Sequence, residues 1–514
     1  MSFPVITVAL YYQTLTAPFI FDDRTSVTRN WAIQLFSYWR VMRTSTRPLT
    51  SLSYALTFQL SRLSPWGYHL GNIILHAING LLVYAVIRLI LRLPRFERQY
   101  GDSHWAVWTV SLLFLVHPLQ TEVVAYISSR SDALAALFVL AATVCLALAV
   151  RWGSARRWSA GARAGAAVCV LLGVMSKESA AVAPLLLFLL DWAAAGGRAG
   201  RVLRRHWVFY GILGAGWVVP VWVVLRHPEY AQTAGFGFAG VTPRQYLYTQ
   251  VGVIVHYLRL TLIPYGQVVD YEWPLAARLF EPHVLIPGGL LLAALAAALR
   301  SWHRRPLHSL CVLWFFINLA PTSSFMPIAD VIAERRMYLP ILGVLGLMAL
   351  WVTAVWRRWV AGRQQSVRRL TGAVVGVVVV AAVGCGVLTW QRNLLWRDPL
   401  LLWQEDARRS PGNPRVHANL GTLYARRGQP QRARAELERA ARLIAAGRSR
   451  HAAPPLPGFV YTHLSSVYVT LRDLPRARTA YKLALAHGAW RERFLRKRLR
   501  WVYKALGPGV PAPG

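Results

Sequence analysis

The sequence predicts an all-α protein in two parts. A polytopic membrane bundle of about eleven spans is followed by a short α-solenoid. Three observations carry this. Of 514 residues, 55% are hydrophobic, gathered in blocks such as 133–150 and 371–389 that reach the roughly 18–20 residues needed to cross a bilayer. Arginines cluster between the blocks. From residue 394 the blocks stop and a helix-pair pattern appears twice.

Taken in order, the expected spans lie near 3–20, 68–91, 105–117, 131–150, 164–176, 180–197, 207–225, 283–300, 307–320, 338–356 and 370–390. The first contains Pro4 and Pro18 and lacks a basic start. It reads as a short span, as a signal-peptide core without an A-x-A-like cleavage site, or as the end of a segment starting upstream. The stretch 246–263 reads as a surface or re-entrant helix within a loop spanning 226–282. Counting it as a span would put the arginines of 300–305 and 357–369 on the opposite side from the other clusters.

The formal charge of +37 comes almost wholly from arginine, for only Lys177, Lys482, Lys497 and Lys504 are lysines. Nucleic-acid binding is not expected, because the basic residues sit between apolar blocks rather than on one recognition element. They fall in five short clusters: Arg92/Arg95/Arg98, Arg151/Arg156/Arg157/Arg163, Arg198/Arg201/Arg204/Arg205, Arg300/Arg304/Arg305 and Arg357/Arg358/Arg363/Arg368/Arg369. Short arginine-rich loops stay cytoplasmic, which orients the chain with its C-terminal part outside. Eleven of the fourteen acids before residue 390 then face outward: Asp22, Asp23, Glu122, Asp132, Glu178, Glu229, Asp270, Glu272, Glu281, Asp330 and Glu334. Glu97, Asp102 and Asp191 face inward. Acids gathered at one set of helix ends suggest one outward-facing site. The cysteines, Cys145, Cys169, Cys311 and Cys385, lie within apolar blocks without CxxC spacing, so no disulfide framework or cysteine metal site is expected.

Five stretches carry chemistry. "PFIFDDRTSVTRN" places Asp22 and Asp23 directly after the first apolar segment, with Arg47 further along the same loop. Adjacent carboxylates cannot both ionise freely, which suits a general base or a metal ligand; the bland reading is a solvated helix start. "HPLQTEVVAYISSRSDALAALF" ends a span at His117 and carries Glu122, which has no local partner, while Arg130 and Asp132 read as an ion pair. "MSKESAAVAP" holds Lys177 and Glu178 between two spans, either a point charge for a phosphate or a snorkelling pair. "IADVIAERRMYLP" carries Glu334 and the outward pair Arg335 and Arg336, suited to phosphate oxygens. The stripe His69, Asn72, His76 and Asn79 lies on one helix face, where interhelical hydrogen bonding explains it better than metal binding.

"HANLGTLYARRGQPQRARAELERA" matches the 34-residue tetratricopeptide pattern: Leu420, Gly421 and Tyr424 on one helix, Ala433, Leu437 and Ala440 on the next. The pattern returns at Tyr461, Leu464, Ser465, Tyr468, Ala477, Tyr481 and Ala484, after the inserted "GRSRHAAPPL". The expected organisation is a membrane domain over 1–390, a link and half-repeat over 391–412, repeats with a capping helix over 413–505, and a tail over 506–514. Such arrays bind peptides or partner domains.

These stretches, in this order and with "RPLTSLSYAL" and "HLGNIILHAINGLL", resemble the transmembrane and tetratricopeptide-repeat O-mannosyltransferases within the GT-C class of glycosyltransferases. The resemblance covers nearly the whole chain; the repeat array is shorter than in many members. Composition points to a bacterial source. The resemblance implies a multi-pass enzyme of the plasma membrane, acting at its outer, periplasmic face. It implies transfer of a sugar, mannose among the candidates, from a polyprenyl-phosphate-linked donor to an acceptor hydroxyl on protein, with inversion. Asp22 or Asp23 would act as base or metal ligand, with Glu122 beside them. Lys177, Arg335, Arg336 and Arg47 would take the donor phosphate. His117, Glu178, Glu334, His69 and His76 would support them. No cofactor is required; a divalent cation, magnesium or manganese, on Asp22 or Asp23 stays open, as does the choice between the two. The repeats would hold a protein acceptor or partner. Two rival readings are a transporter or flippase and a non-catalytic membrane scaffold displaying repeats. Acids at helix ends rather than mid-span weigh against the first, and the number of spans weighs against the second.

Overall fold

The computed structural model describes residues 2–35, 38–101, 103–153, 155–218, 226, 235, 241–360, 367–447 and 456–513. Asp102, Glu229, Arg363, the far end of the expected 207–225 span and most of the insertion between the repeats lie outside the described residues. The chain forms two compact units, residues 1–267 with 275–397, and residues 268–274 with 398–514.

The first unit is a helical membrane bundle. Among the described residues, six helices are long and apolar enough to cross a bilayer: Pro65–Leu91, Ile127–Arg151, Arg157–Ser176, Pro282–Ser301, Ile341–Trp359 and Gly372–Arg397. The pair Trp105–Val116 and Pro118–Ala125, bent by 53° at His117, makes a seventh if counted as one broken span. Two of the eleven expected spans are shorter helices. Ala183–Ala194 has 12 residues and Pro306–Leu319 has 14, while Ser2–Tyr11 runs on into the tight turn Tyr12–Thr16 and the described part of the expected 207–225 span includes the end of Ala199–Ala215, kinked at His206. At about 1.5 Å per residue the two short helices reach roughly 18–21 Å, less than a bilayer core of about 30 Å. Local chemistry stops them. Ala183–Ala194 runs into Gly196 and Gly197, both at positive φ, and Pro306–Leu319 ends just before Pro321.

The helix Pro243–Leu262 is 20 residues long but is not among the six. Tyr246, Thr249, Gln250, Val253, Tyr257, Leu260 and Thr261 are buried along one face at helical spacing. Gln250 and Tyr257 donate to the carbonyls of Val331 and Ala333 at 2.9 Å each. Polar side chains on that inner face keep its hydropathy low, and they fasten the loop that carries Arg335.

The stripe on Pro65–Leu91 is fully buried and tied to neighbouring segments, with His69 Nδ1 and Asn79 Oδ1 left without a partner among the described residues. His69 Nε2 meets Ala17 O at 3.0 Å, and Asn72 donates to Val124 O at 3.3 Å. His76 Nε2 meets Leu115 O at 3.1 Å, its Nδ1 meets the Tyr338 hydroxyl at 2.8 Å, and Asn79 donates to that hydroxyl at 3.0 Å. His69 and His76 therefore work as structural ties: His69 anchors the segment that leads into Asp22, and His76 anchors the start of Ile341–Val360.

In the second unit, Pro414–Arg426 pairs with Pro430–Ala445, and Leu456–Thr470 with Leu474–Ala486. Pro399–Arg409 precedes them and Arg493–Leu506 closes the array. Asp398, Asn413 and Asp473 cap helix starts with their side chains. Gly421 is needed for closeness: a Cβ there would meet the Leu437 side chain at 2.7 Å and Ala433 O at 3.2 Å. The short segment 268–274 is built into this unit. Asp406 accepts the N–H groups of Val269 and Asp270 at 3.0 and 3.1 Å. Arg415 grips Asp270 with Nε at 2.5 Å and Nη2 at 2.6 Å, and Asn413 donates to Asp270 O at 3.1 Å. Asp270 thus serves the repeat unit rather than an outer catalytic cluster.

Candidate functional site

The acid loop is made by an abrupt turn. Phe21 takes a positive φ of 46°, strained for a residue with a large side chain. A single π-helical turn, Arg24–Thr28, follows, with Arg29 N–H donating to Arg24 O at 2.7 Å. Such turns recur at functional sites. The two acids diverge here. Asp23 is 1% exposed: one of its oxygens accepts Ser128 N–H at 2.8 Å and Ser128 Oγ–H at 2.7 Å, and the other accepts Ile20 N–H at 3.1 Å. Asp22 is exposed, and its own N–H donates to the Tyr126 hydroxyl at 3.0 Å. The geometry makes Asp23 the brace of the turn and presents Asp22 at the surface.

Burial pushes the Asp23 carboxyl up to about 7 against three hydrogen bonds that hold it down, with Asp22 adding to the rise. An unfolded aspartate titrates near about 3.9. Between about pH 4 and pH 7 the folded state therefore holds a proton that the unfolded state has lost, so this group makes stability fall as pH rises through that window. The expected result is a melting temperature whose decline from pH 4 to pH 7 is shallower in Asp23→Asn, measured on detergent-solubilised protein. An unchanged slope would show that Asp23 ionises normally in the fold.

Tyr126 meets the acid loop through the Asp22 N–H. Its ring stacks on buried Trp396, with centroids 6.0 Å apart and planes at 22°. Burial raises its hydroxyl pKa well above the ordinary value; Asp22 and Asp23 raise it further, and Arg335 acts against them. Arg335 sits on the tight turn Glu334–Met337. Glu122 holds it twice, accepting its N–H at 2.9 Å and its Nη1 at 2.6 Å, and Asp330 takes Nη2 at 3.3 Å. Arg336 donates to the carbonyls of Val331, Thr322 and Asp330. Lys177 pairs with Asp132 at 2.6 Å.

Lys177, Arg335, Arg336 and Asp132 line one pocket, with Asn318 and Tyr338 among its other walls. Glu122 and Asp330 do not line it; they hold Arg335 from outside. The lining thus carries three cations against one acid, and the Asp132 Oδ2 has no hydrogen-bond partner among the described residues. Burial lowers the Lys177 pKa and Asp132 opposes this, while Arg47 and Arg335 lower it further. A few residues along Pro306–Leu319 and Ile341–Val360, an apolar cavity opens against Leu310, Trp314, Leu342, Gly343 and Gly346. The polar pocket reaches Asn318 on the first of these helices and Pro340 at the start of the second, so the two spaces adjoin within about one helical turn.

The remaining expected residues stand around this pocket. Arg47 forms a two-pronged bridge to Glu178 at 3.1 and 2.7 Å, next in sequence to Lys177. It does not line the pocket. Glu334 accepts Gln267 Nε2 at 2.7 Å. His117 accepts Leu119 N–H on Nδ1 at 3.2 Å, so its Nε2 carries the proton and donates to Thr261 O at 3.0 Å; it fixes the 53° bend. The expected Arg130–Asp132 ion pair is absent. Arg130 instead donates to Asn72 Oδ1 at 2.8 Å and Tyr68 O at 2.7 Å, with its guanidinium over the Tyr54 ring.

A resident divalent cation finds few ligands here. Among the described residues no three His, Cys, Asp or Glu side chains converge, and both Asp23 oxygens already accept hydrogen bonds, so in this loop Asp22 alone of the pair is presented to solvent.

Sequence reasoning missed Tyr126, Ser128 and Asp132. Tyr126 and Ser128 stand within "VAYISSRSD", beside the acids, and Asp132 was assigned to the wrong partner.

The chain is similar to proteins named protein O-mannosyl-transferases. It is 24% identical over 447 residues to F38B6.6 of Caenorhabditis elegans, covering 82% of this chain and 59% of the relative. It is 25% identical over 512 residues to Tmtc3 of Drosophila melanogaster, covering 85% and 54%. A shorter stretch of 188 residues is 32% identical to TMTC2 of Homo sapiens, covering 33% and 21%. The chain spans little more than half the length of the longer-matching relatives. No family model and no solved structure matches it.

Proposed function

We propose that this chain is a GT-C-type glycosyltransferase that moves a sugar, mannose by the names of its relatives, from a polyprenyl-phosphate-linked donor to a hydroxyl group of a protein acceptor at the outer face of the plasma membrane. The observation that carries this is the convergence of Lys177, Arg335 and Arg336 on one pocket beside an apolar cavity along the same two helices. A ligand with an anionic head and a long apolar chain fits that pairing. The head phosphate meets the N–H donors of the three cations, and the isoprenoid chain lies against Leu310, Trp314 and Leu342.

Transfer is then one displacement. Asp22 takes the proton of the acceptor hydroxyl, whose oxygen attacks the anomeric carbon. The bond from that carbon to the phosphate oxygen breaks, and the electron pair leaves with the polyprenyl phosphate. Lys177, Arg335 and Arg336 stabilise the charge that develops there. A single attack from the face opposite the leaving group inverts the anomeric centre. The repeats hold the acceptor protein.

The test is purified full-length chain in proteoliposomes with a radiolabelled mannosyl-phosphoryl-polyprenol and a hydroxyl-rich protein acceptor. Label is expected to move to protein with matching release of polyprenyl phosphate. Replacing Gly346 by Trp, to fill the apolar cavity, should raise the KM for the long-chain donor while sparing a short-chain analogue. Intact donor in every arm would sink the proposal.

A further inference from the structure

The last helix of the repeat unit, Arg493–Leu506, carries a feature that sugar transfer does not use. Leu495, Leu499, Val502 and Leu506 are buried and dock it on the preceding repeat, with Arg498 donating to Ser466 Oγ at 3.2 Å. At about 100° per residue, the face opposite that stripe is formed by Arg493, Lys497, Arg500 and Lys504, spaced i, i+4, i+7 and i+11. All four are exposed, and among the described residues none forms an ion pair. Beside them, seven residues apart and so on one line, stand Phe494, 41% exposed, and Trp501, 49% exposed. Glu492 is the single acid between Ala489 and Leu506.

We infer that this helix is a docking surface for an anionic lipid bilayer. Four cations in a row face headgroup phosphates, and a Phe and a Trp beside them suit the boundary between headgroups and acyl chains. An ordinary solvated helix face alternates its charges and rarely exposes two large aromatics in line. A lipid surface is favoured over other polyanions because the main stretch of this unit, from Asp398, follows directly in sequence on the candidate membrane helix Gly372–Arg397. A bilayer is therefore always tethered to it, at high effective concentration.

The test uses the full chain in neutral phosphatidylcholine nanodiscs, mixed with vesicles and floated, with empty discs as control. Wild type is expected to float with phosphatidylglycerol vesicles and not with phosphatidylcholine vesicles. Flotation should be lost in 1 M salt and return on dilution, a readout independent of any substitution. Each cation contributes about fivefold, so R493E/K497E/R500E/K504E should need at least a hundredfold more anionic lipid. R493K/R500K should float like wild type, and F494A/W501A should float several-fold more weakly. Equal flotation of the quadruple variant would overturn the inference, as would salt-insensitive binding, equal binding to neutral vesicles, or tighter binding of a 20-nucleotide DNA strand that depends on the same four cations.

Discussion

Replacing Asp22 by Asn is expected to abolish sugar transfer while the protein still inserts, accumulates and takes up donor. Removing a general base costs about 10²–10⁴-fold in rate, and no other carboxylate is presented by this turn. Asp22 is exposed, so the stability change should stay within roughly 0.5 kcal/mol. Asp23→Asn should behave differently. It removes an acceptor from among three donors, loosens the turn, and should lower transfer together with thermal stability. Measuring kcat and melting temperature for both variants separates base from brace. If Asp22→Asn retains more than a tenth of wild-type turnover, the base lies elsewhere, and Asp132, with its unpartnered oxygen in the pocket, is the next residue to replace.

Arg335→Ala is expected to cost both catalysis and stability, and the two losses are separable. Glu122 is 3% exposed on its side chain. Removing its partner leaves a buried charge unpaired, a cost of about 3–5 kcal/mol. The double variant Glu122→Gln with Arg335→Gln replaces the ion pair with neutral groups of similar size and should recover most of that stability. It should not recover transfer, because the guanidinium N–H groups proposed to meet the leaving phosphate are gone; a loss of about 10²–10³-fold is expected for one such electrostatic donor. Glu122→Gln alone should reduce transfer modestly, since Glu122 positions Arg335 without lining the pocket. Wild-type turnover in the double variant would remove Arg335 from the mechanism and leave it a structural role.

Much of this was legible in the residues. The apolar blocks, the proline-led helix starts and the recurring Leu-Gly-Tyr and Ala-Leu-Ala positions announced a membrane bundle and helical hairpins. Asp22, Lys177, Arg335 and Arg336 stood out as charges at the ends of apolar segments. Partner choice was not legible, because it is made across the chain: Glu122 finds Arg335 213 residues away. One error was avoidable. Arg130 and Asp132 are two apart on the helix Arg130–Arg151, and positions i and i+2 point about 200° apart. Neighbours in sequence were therefore poor candidates for a pair, and each found its partner elsewhere, Asn72 and Lys177. The ends of the two short helices were hidden for a different reason. Composition alone does not weigh Gly196-Gly197 or a proline against a run of apolar residues, yet these end helices after about three turns.

The strip 268–274 imposes an order on synthesis. Its partners Asp406 and Arg415 lie 137 and 145 residues downstream. At about 5–20 residues per second, the strip emerges from the ribosome roughly 7–30 s before either partner exists. During that interval the chain delivers Pro282–Ser301, Ile341–Trp359 and Gly372–Arg397, three of the six candidate spans among the described residues. The C-terminal array therefore cannot close early: its clasp on Asp270 forms only after the last membrane helix has been made, and the finished array is a record that every preceding span has already left the ribosome.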